Sequence, residues 1–408
     1  MSRVLDTISP ARLGVAYRRL LASSWITNLG DGVGLAAGPL LVASQTDRAF
    51  LVAMAALLQR LPWLMFGLYA GVIADRHDRK RIVMGANLGR AAVMLGLTIA
   101  VGLDVLSVGL VLVAVFVLGV AEVFADTTSG TLMPMIVESD DLGLANSRFN
   151  AGHVVVNQLA GPPLGAFLFA AGIAWPLAAQ VVLFGYGALV LARVSLPMPV
   201  RSGEARDARH EIAEGLRWLW HHGPVRTLTL TVVSFNVTFG AAWSVLVLVA
   251  TERLGMGKVG FGVLTTVSAI GALISSGLYP RLTSRVSLAN VMRAGLVIET
   301  GTHLTLATAR TPWIALPVLF VFGMHEAAWG ATVMSIRQRA VPLELQGRVA
   351  SAYLLGVFGG LVVGAGLGGV LAGAWGVTAP FWFAFAGSAL ILLLIWRTLD
   401  LIAHTDGG

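Results

Sequence analysis

The sequence predicts an all-α membrane protein of twelve transmembrane helices in two pseudo-symmetric six-helix bundles, and three observations carry that prediction. With 56% hydrophobic and 12% charged residues and a mean hydropathy of +0.80, the 408-residue chain has too little polar surface for a water-soluble globule. Apolar runs of about twenty residues, the length a helix needs to cross a ~30 Å hydrocarbon core, recur along it. A pattern in the fourth run, Phe116-Val117-x-Gly119-x-x-Glu122, returns in the tenth as Phe320-Val321-x-Gly323-x-x-Glu326. The two copies stand half a chain length apart, as a duplicated array of helices requires. Long unbroken runs, rather than short alternating strands, exclude a β-barrel.

Taken in order, the runs fall near residues 20–44, 50–74, 82–102, 105–130, 145–171 and 174–196, then 226–250, 259–281, 288–309, 312–335, 347–373 and 378–397, each of about membrane-spanning length. The longest polar stretch, Pro197 to Pro224, divides them six and six. Within it Ile212, Leu216 and Leu219 repeat at helical spacing while Arg209 and Arg217 face elsewhere, which reads as an amphipathic helix at the membrane surface. The expected organisation is therefore a bundle over 1–196, a cytoplasmic linker over 197–224 and a second bundle over 225–408. The 48 glycines suit helices that approach closely in lipid.

Charge sets the orientation. With both termini inside, only Arg48, Arg253, Lys258 and Arg310 of the 28 Lys and Arg residues fall outside, and Arg60 falls mid-span. That bias places both termini in the cytoplasm, in a cytoplasmic (inner) membrane. The same reading makes the net charge of +7 an orientation signal rather than a nucleic-acid footprint. No cysteine is present, which removes disulfides and thiolate chemistry. A basic arm of Arg12, Arg18 and Arg19 precedes the first run, which reads as a retained helix because further spans follow. There is no phosphate-binding loop, zinc-protease spacing or nucleophile elbow, so neither an enzyme, a metal site nor a cofactor is expected, and an ion gradient remains as the energy source.

Ionisable residues at mid-depth are the candidate working parts, because each costs at least about 2.5–3.5 kcal/mol unless partnered or wet. Asp31 in the first span and Arg60 in the second come out at similar depth, ~18 and ~15 Å from opposite faces at helical rise, and are expected to pair. Glu122 and Asp126 share one face of the fourth span at i and i+4, where neighbouring carboxylates favour holding a proton between them. Glu326, with His325 as accessory, is their counterpart in the tenth. Glu299 and His303 also stand at i and i+4. A lone His153 or His303 reads as a satisfied core group.

Between the second and third spans, Gly71-x-x-x-Asp75-Arg76-x-x-Arg79-Lys80-Arg81 resembles the signature loop of the major facilitator superfamily. Asn28-Leu29-Gly30-Asp31-Gly32, Gly161-Pro162-x-x-Gly165 and Gly347-Arg348-Val349 extend the resemblance along the whole chain, nearest to twelve-span exporters that include macrolide and enterobactin efflux proteins. The resemblance implies the major facilitator fold and a cytoplasmic gate of Gly71, Asp75, Arg76, Arg79 and Gly347. In that gate Asp75 caps the start of span eleven, Gly71 allows close approach, and Arg79 pairs with a carboxylate such as Asp126. It also implies that Asn28, His153, Asn157, Gln158 and Asn236 line the cavity, with Trp25, Trp243 and Trp329 as apolar partners for a bulky amphipathic ligand. Span nine lies outside that cavity, which makes Glu299 and His303 a local packing pair.

Departures are also visible. Asp78 stands where the pattern has glycine, the fourth span lacks the arginine of many proton-coupled exporters, Asn157 replaces a spaced glycine, and Gly277-Leu278-Tyr279-Pro280-Arg281 lacks the aspartate. The expected function is a monomeric proton antiporter that exports small amphipathic compounds, with protons, a small-molecule substrate and the lipid bilayer as partners. Import or facilitated passage of a metabolite on the same fold, and a non-transporting sensor or scaffold, are the alternatives.

Overall fold

The computed structural model describes residues 11–195, 208–399 and 402. Within them the first half forms α1 (Gly14–Gln45), α2 (Ala49–Arg76), α3 (Arg79–Gly102), α4 (Val108–Ser129), α5 (Leu142–Ala171) and α6 (Ala174–Ala192). After α7 (Ala208–His221) come α8 (Gly223–Arg253), α9 (Gly257–Thr283), α10 (Leu288–Thr308), α11 (Pro312–Ala340), α12 (Gln346–Trp375) and α13 (Ala379–Ile395). Ten of these helices are long and apolar enough to cross a membrane. The polar α10, with Arg293, Glu299 and His303, and the 17-residue α13 are not among them. The protein is an integral membrane protein, since lipid leaves helices as the way to satisfy the backbone of such runs.

Polar residues at the run ends fix the helix ends. Ser107 and Ser287 accept hydrogen bonds from the backbone N–H groups of Leu110 and Asn290, each at 3.3 Å. Asp78, the residue that departs from the superfamily pattern, does the same for α3 by accepting from the Arg81 N–H at 3.2 Å. Cations serve the opposite pole. Lys80 Nζ donates to the Ala192 and Val194 carbonyls at 2.7 Å each, and Arg19 Nη1 to the Arg193 carbonyl at 2.6 Å, so basic residues near the starts of α3 and α1 meet the negative end of α6.

The winding of α5 departs from a regular α-helix for a reason legible in its residues. Pro162 and Pro163 supply no N–H, and over His153–Ala160 α5 widens into a π-helix whose next donor, Gly161 N–H, reaches back to the Val156 carbonyl. The π turn carries His153 and Asn157 towards α1.

By contact the chain divides into two compact units: Met1–Gln45 with Met65–Ala205, and Thr46–Leu64 with Arg206–Gly408. In the first unit α1 packs on α5 and α6, and α3 packs on α4 and α6. In the second α8 packs on α12 and α13, and α10 packs on α11 and α13, the same pairs displaced by one half of the chain. Glycines close the matching seams. Gly161 and Gly165 of α5 lie against the backbone of Gly32 and Val33, and a Cβ on either would overlap it. On α12, Gly360, Gly364 and Gly368 recur every fourth residue against the backbone of Val233, Val237 and Ala241.

The first part of α2 belongs to the second unit. There Trp63 stacks on Phe358 of α12 with ring centroids 5.3 Å apart, and Ala53 meets Gly369.

The linker helix α7 buries a stripe different from the expected one. Leu219 is buried and Trp218 packs with it against Val341, Leu345, Val349 and Ala352, but Leu216 is 52% exposed. The Ile212 side chain lies outside the described residues. The rotation follows from Gly215, whose missing side chain lets α7 rest on the Arg348 carbonyl, beside a Glu214–Arg348 ion pair of 2.6 Å. The apolar side of α7 therefore meets the start of α12.

Candidate functional site

Each unit holds one buried cluster of ionisable groups. In the first, Asp31 of α1 pairs with Arg90 of α3, not with Arg60. Arg90 Nη2 lies 2.8 Å from Asp31 Oδ1 and 3.1 Å from Oδ2, while Nη1 reaches Asn87 Oδ1 at 3.4 Å. The Arg90 side chain is 2% exposed and that of Asp31 16%. The guanidinium also lies 4.3 Å from the ring centroid of Phe184, for which Gly30 makes room. Arg90 had the look of an inner-face orientation charge. Counted from the start of α3, though, it stands about eleven residues in, or ~16 Å at helical rise, close to the depth of Asp31.

A cavity of about 270 Å³ opens beside this pair, lined among others by Asn28, Asn87, Arg90, Asp126 and His153. Asp31 and Asp126 both feel Arg90, and Glu122 acts on Asp31 and on His153. Asp31 and Asp126 thus share the field of one guanidinium, with Glu122 acting on Asp31. Arg79 was expected to neutralise Asp126. It donates to the Ala74 and Thr131 carbonyls, each at 3.3 Å, and the cation that acts on Asp126 is Arg90.

The π turn of α5 sets the polar wall of the cavity. Asn28 Nδ2 donates to the Ser24 carbonyl at 2.8 Å, which leaves its Oδ1 to accept from His153 Nδ1 at 2.8 Å. His153 therefore is not a sealed core group, and in its neutral form Nε2 is left as an acceptor. Asn157 Nδ2 donates to the Asn28 carbonyl at 3.3 Å and is buried in the α1–α5 seam. Trp25 lies over Gly152, where a side chain would overlap its indole. Gln158 is half-buried outside the lining set of this cavity.

The second cluster lies between α10 and α11. His325 Nε2 is 3.4 Å from Glu299 Oε2, and His303 Nε2 is 3.8 Å from Glu299 Oε1, with all three side chains at most 9% exposed. Glu299 is thus joined to the tenth-span histidine rather than engaged in a purely local pair. His303 is not a satisfied core group either, because neither ring nitrogen has a hydrogen-bond partner. Aromatic side chains wall the cluster. Trp243 meets His303 edge-on at 6.2 Å, and Phe322 and Trp329 flank His325 at 5.9 and 6.0 Å. Glu326 feels His325, Glu299 and Arg60, so Arg60 belongs electrostatically with this cluster. Asn236 donates to the Val232 carbonyl of its own helix at 2.8 Å and joins neither cluster.

At the loop between α2 and α3, Arg76 is exposed and an added Cβ on Gly71 would meet no atom within 4 Å, nor would one on Gly347. The Asp75 side chain lies outside the described residues. No group of three or more His, Asp or Glu among the described residues is placed to hold a metal ion.

Solved structures share this fold of apolar helices, which in this chain encloses buried ionic clusters. A nucleoside transporter, NupG, superposes with a TM-score of 0.76 over 94% of this chain and 99% of its own, at 12% identity. The chain belongs to the transmembrane secretion effector family of major facilitator transporters, whose family model matches residues 6–403. Macrolide efflux protein A of Streptococcus pyogenes is 24% identical over 367 residues, 87% of this chain and 88% of that protein. The multidrug efflux pump Tap of Mycolicibacterium fortuitum is 27% identical over 396 residues, covering 92% and 93%.

Proposed function

We propose that this protein exports small amphipathic compounds, macrolides among them, from the cytoplasm by proton antiport. In this reading it has twelve spans in two pseudo-symmetric six-helix bundles, with both termini in the cytoplasm of an inner-membrane monomer. The observation that carries the reading is the Asp31–Arg90 pair, buried at a polar cavity within apolar helices and crowded by Glu122 and Asp126. A pair that only held helices together would not need two further carboxylates in its field.

The chemistry follows from charge balance. Protons on Asp31, Glu122 or Asp126 relieve the crowding around Arg90, and a bound amphipathic base competes with them for the same negative field. Proton and substrate therefore occupy the cluster in turn, which is the requirement for antiport. Trp25 and the His153 acceptor offer the substrate an apolar face and a hydrogen bond. Alternating access exposes the cavity to each side, with Gly71, Asp75, Arg76 and Arg79 and the start of α12 at Gly347 as the cytoplasmic gate. The relatives that export macrolides and other drugs support the direction.

Expression in a bacterial strain stripped of its own efflux pumps tests the substrate class. The inhibitory concentrations of macrolides should rise and their cellular accumulation fall. Unchanged susceptibility across a macrolide panel, with the protein present in the membrane, would contradict export of this class.

A further inference from the structure

We infer that Glu299, His303 and His325 form a second proton-binding site, in the C-terminal unit, whose proton exchanges through Glu326 during transport. The inference rests on the antiport reading above and adds to it the place where a further proton is held.

The geometry is that of a carboxylate shared by two imidazoles, Oε2 facing His325 at 3.4 Å and Oε1 facing His303 at 3.8 Å. The site is dry: His303 is fully enclosed, and Trp243, Phe322 and Trp329 stand around the rings. An ionised carboxylate in such surroundings requires a positive partner. Among the described residues, His303 and His325 are the basic side chains placed against the Glu299 carboxylate. A proton held within the cluster, on an imidazole or on the Glu299 carboxyl, meets that requirement.

Among the described residues, neighbouring helices bring no competing cation to Glu299. On α8, Arg253 donates to the Ala307 and Ala309 carbonyls at the far end of α10. The α13 sequence has no ionisable residue. On α11 stand His325 itself and Glu326, and Arg60 of α2 acts on Glu326.

Two features fit a site that changes protonation rather than a static contact. Both His303 nitrogens lack a hydrogen-bond partner, although a buried imidazole with a purely structural role satisfies at least one. Gly295 leaves the space that the His325 ring occupies, since a Cβ there would lie 2.6 Å from His325 Nδ1. Glu326, next in sequence to the buried His325, exposes its side chain as Arg60 does. The dry cluster is thereby linked to an accessible carboxylate. On uptake a proton adds to an imidazole nitrogen, forming an imidazolium beside the Glu299 carboxylate. On release it passes to the Glu326 carboxylate and then to water, with only N–H and O–H bonds made and broken.

The test reconstitutes the full-length protein in liposomes and follows radiolabelled erythromycin in two modes, exchange without a proton gradient and uptake driven by ΔpH. Glu299→Gln and His325→Asn should keep exchange within about twofold and lose about tenfold or more of the ΔpH-driven component. Glu299→Asp, which retains a titrating carboxyl, should keep the ΔpH response. Should Glu299→Gln fail to accumulate, His303→Gln serves as the second variant with the same expectation. ΔpH-driven transport within twofold of wild type in these variants, or equal loss in both modes, overturns the inference. If Asp31→Asn loses the ΔpH response while the triad variants keep it, antiport stands and the second site falls. A wild-type protein indifferent to ΔpH removes the antiport reading itself.

Discussion

Arg90→Ala is expected to cost about 3–5 kcal/mol of stability and to abolish export, because it strips a buried carboxylate of its counter-charge. Asp31 would be left beside Glu122 and Asp126 without the guanidinium it pairs with, and the stacking of Arg90 on Phe184 would be lost as well. Asp31→Asn is the converse case, leaving a guanidinium that is 2% exposed. Arg90→Lys should recover only part of either loss, since an ammonium cannot repeat the contacts of one guanidinium to both carboxylate oxygens and to Asn87. The double variant Asp31→Asn/Arg90→Gln separates the two roles of the pair. It removes both charges of the pair together, so the melting temperature in detergent should recover part of the loss, Asp126 still lacking Arg90, while macrolide transport stays more than about 100-fold down. Full transport by the double variant would mean the pair is only a strut.

Gly165→Leu carries the second large effect. Gly165 of α5 lies on the backbone of Val33 in α1, and neither backbone has a rotamer with which to yield. Overpacking ordinarily costs about 1–3 kcal/mol, and here the helices themselves must separate. Separation would also pull the π turn off α1, and with it the hydrogen bonds of His153 and Asn157 to Asn28. The folded fraction recovered from membranes should therefore collapse on size-exclusion chromatography. Gly364→Leu, on the matching α8–α12 seam against Val237, should do the same. Gly71→Ala is the contrasting substitution: with no atom within 4 Å of the added Cβ, it should leave yield and melting temperature unchanged. A stable Gly165→Leu protein would refute the close-packed seam.

The helical course of the chain was legible because lipid permits so little else. Apolar run length placed each helix, and the repeat around Glu122 and Glu326 matches the recurrence of helix pairs in the two units. Side-chain partnerships were less legible. Asp31 was matched to Arg60 because consecutive spans are often neighbours, whereas the structure packs α3, with Arg90, close enough to α1 to supply the partner. Composition alone could not tell Arg90 from the orientation charges near it; counting depth from the start of α3 could. Glu299 and His325 lie on antiparallel helices joined by a short turn, and the same counting brings them level to within about 6 Å. Two features needed coordinates. The widening of α5 depends on where two proline gaps fall relative to Val156, and the buried stripe of α7 depends on the contact that Gly215 permits with Arg348.

The most direct test of the central claim is lumenal pH in liposomes carrying the purified full-length protein, recorded while an erythromycin gradient is imposed across the membrane. Antiport requires protons to move opposite to the macrolide, with a signal that disappears in Asp31→Asn. Macrolide crossing down its own gradient with no pH change, at a rate indifferent to ΔpH, would show a passive facilitator and contradict the account.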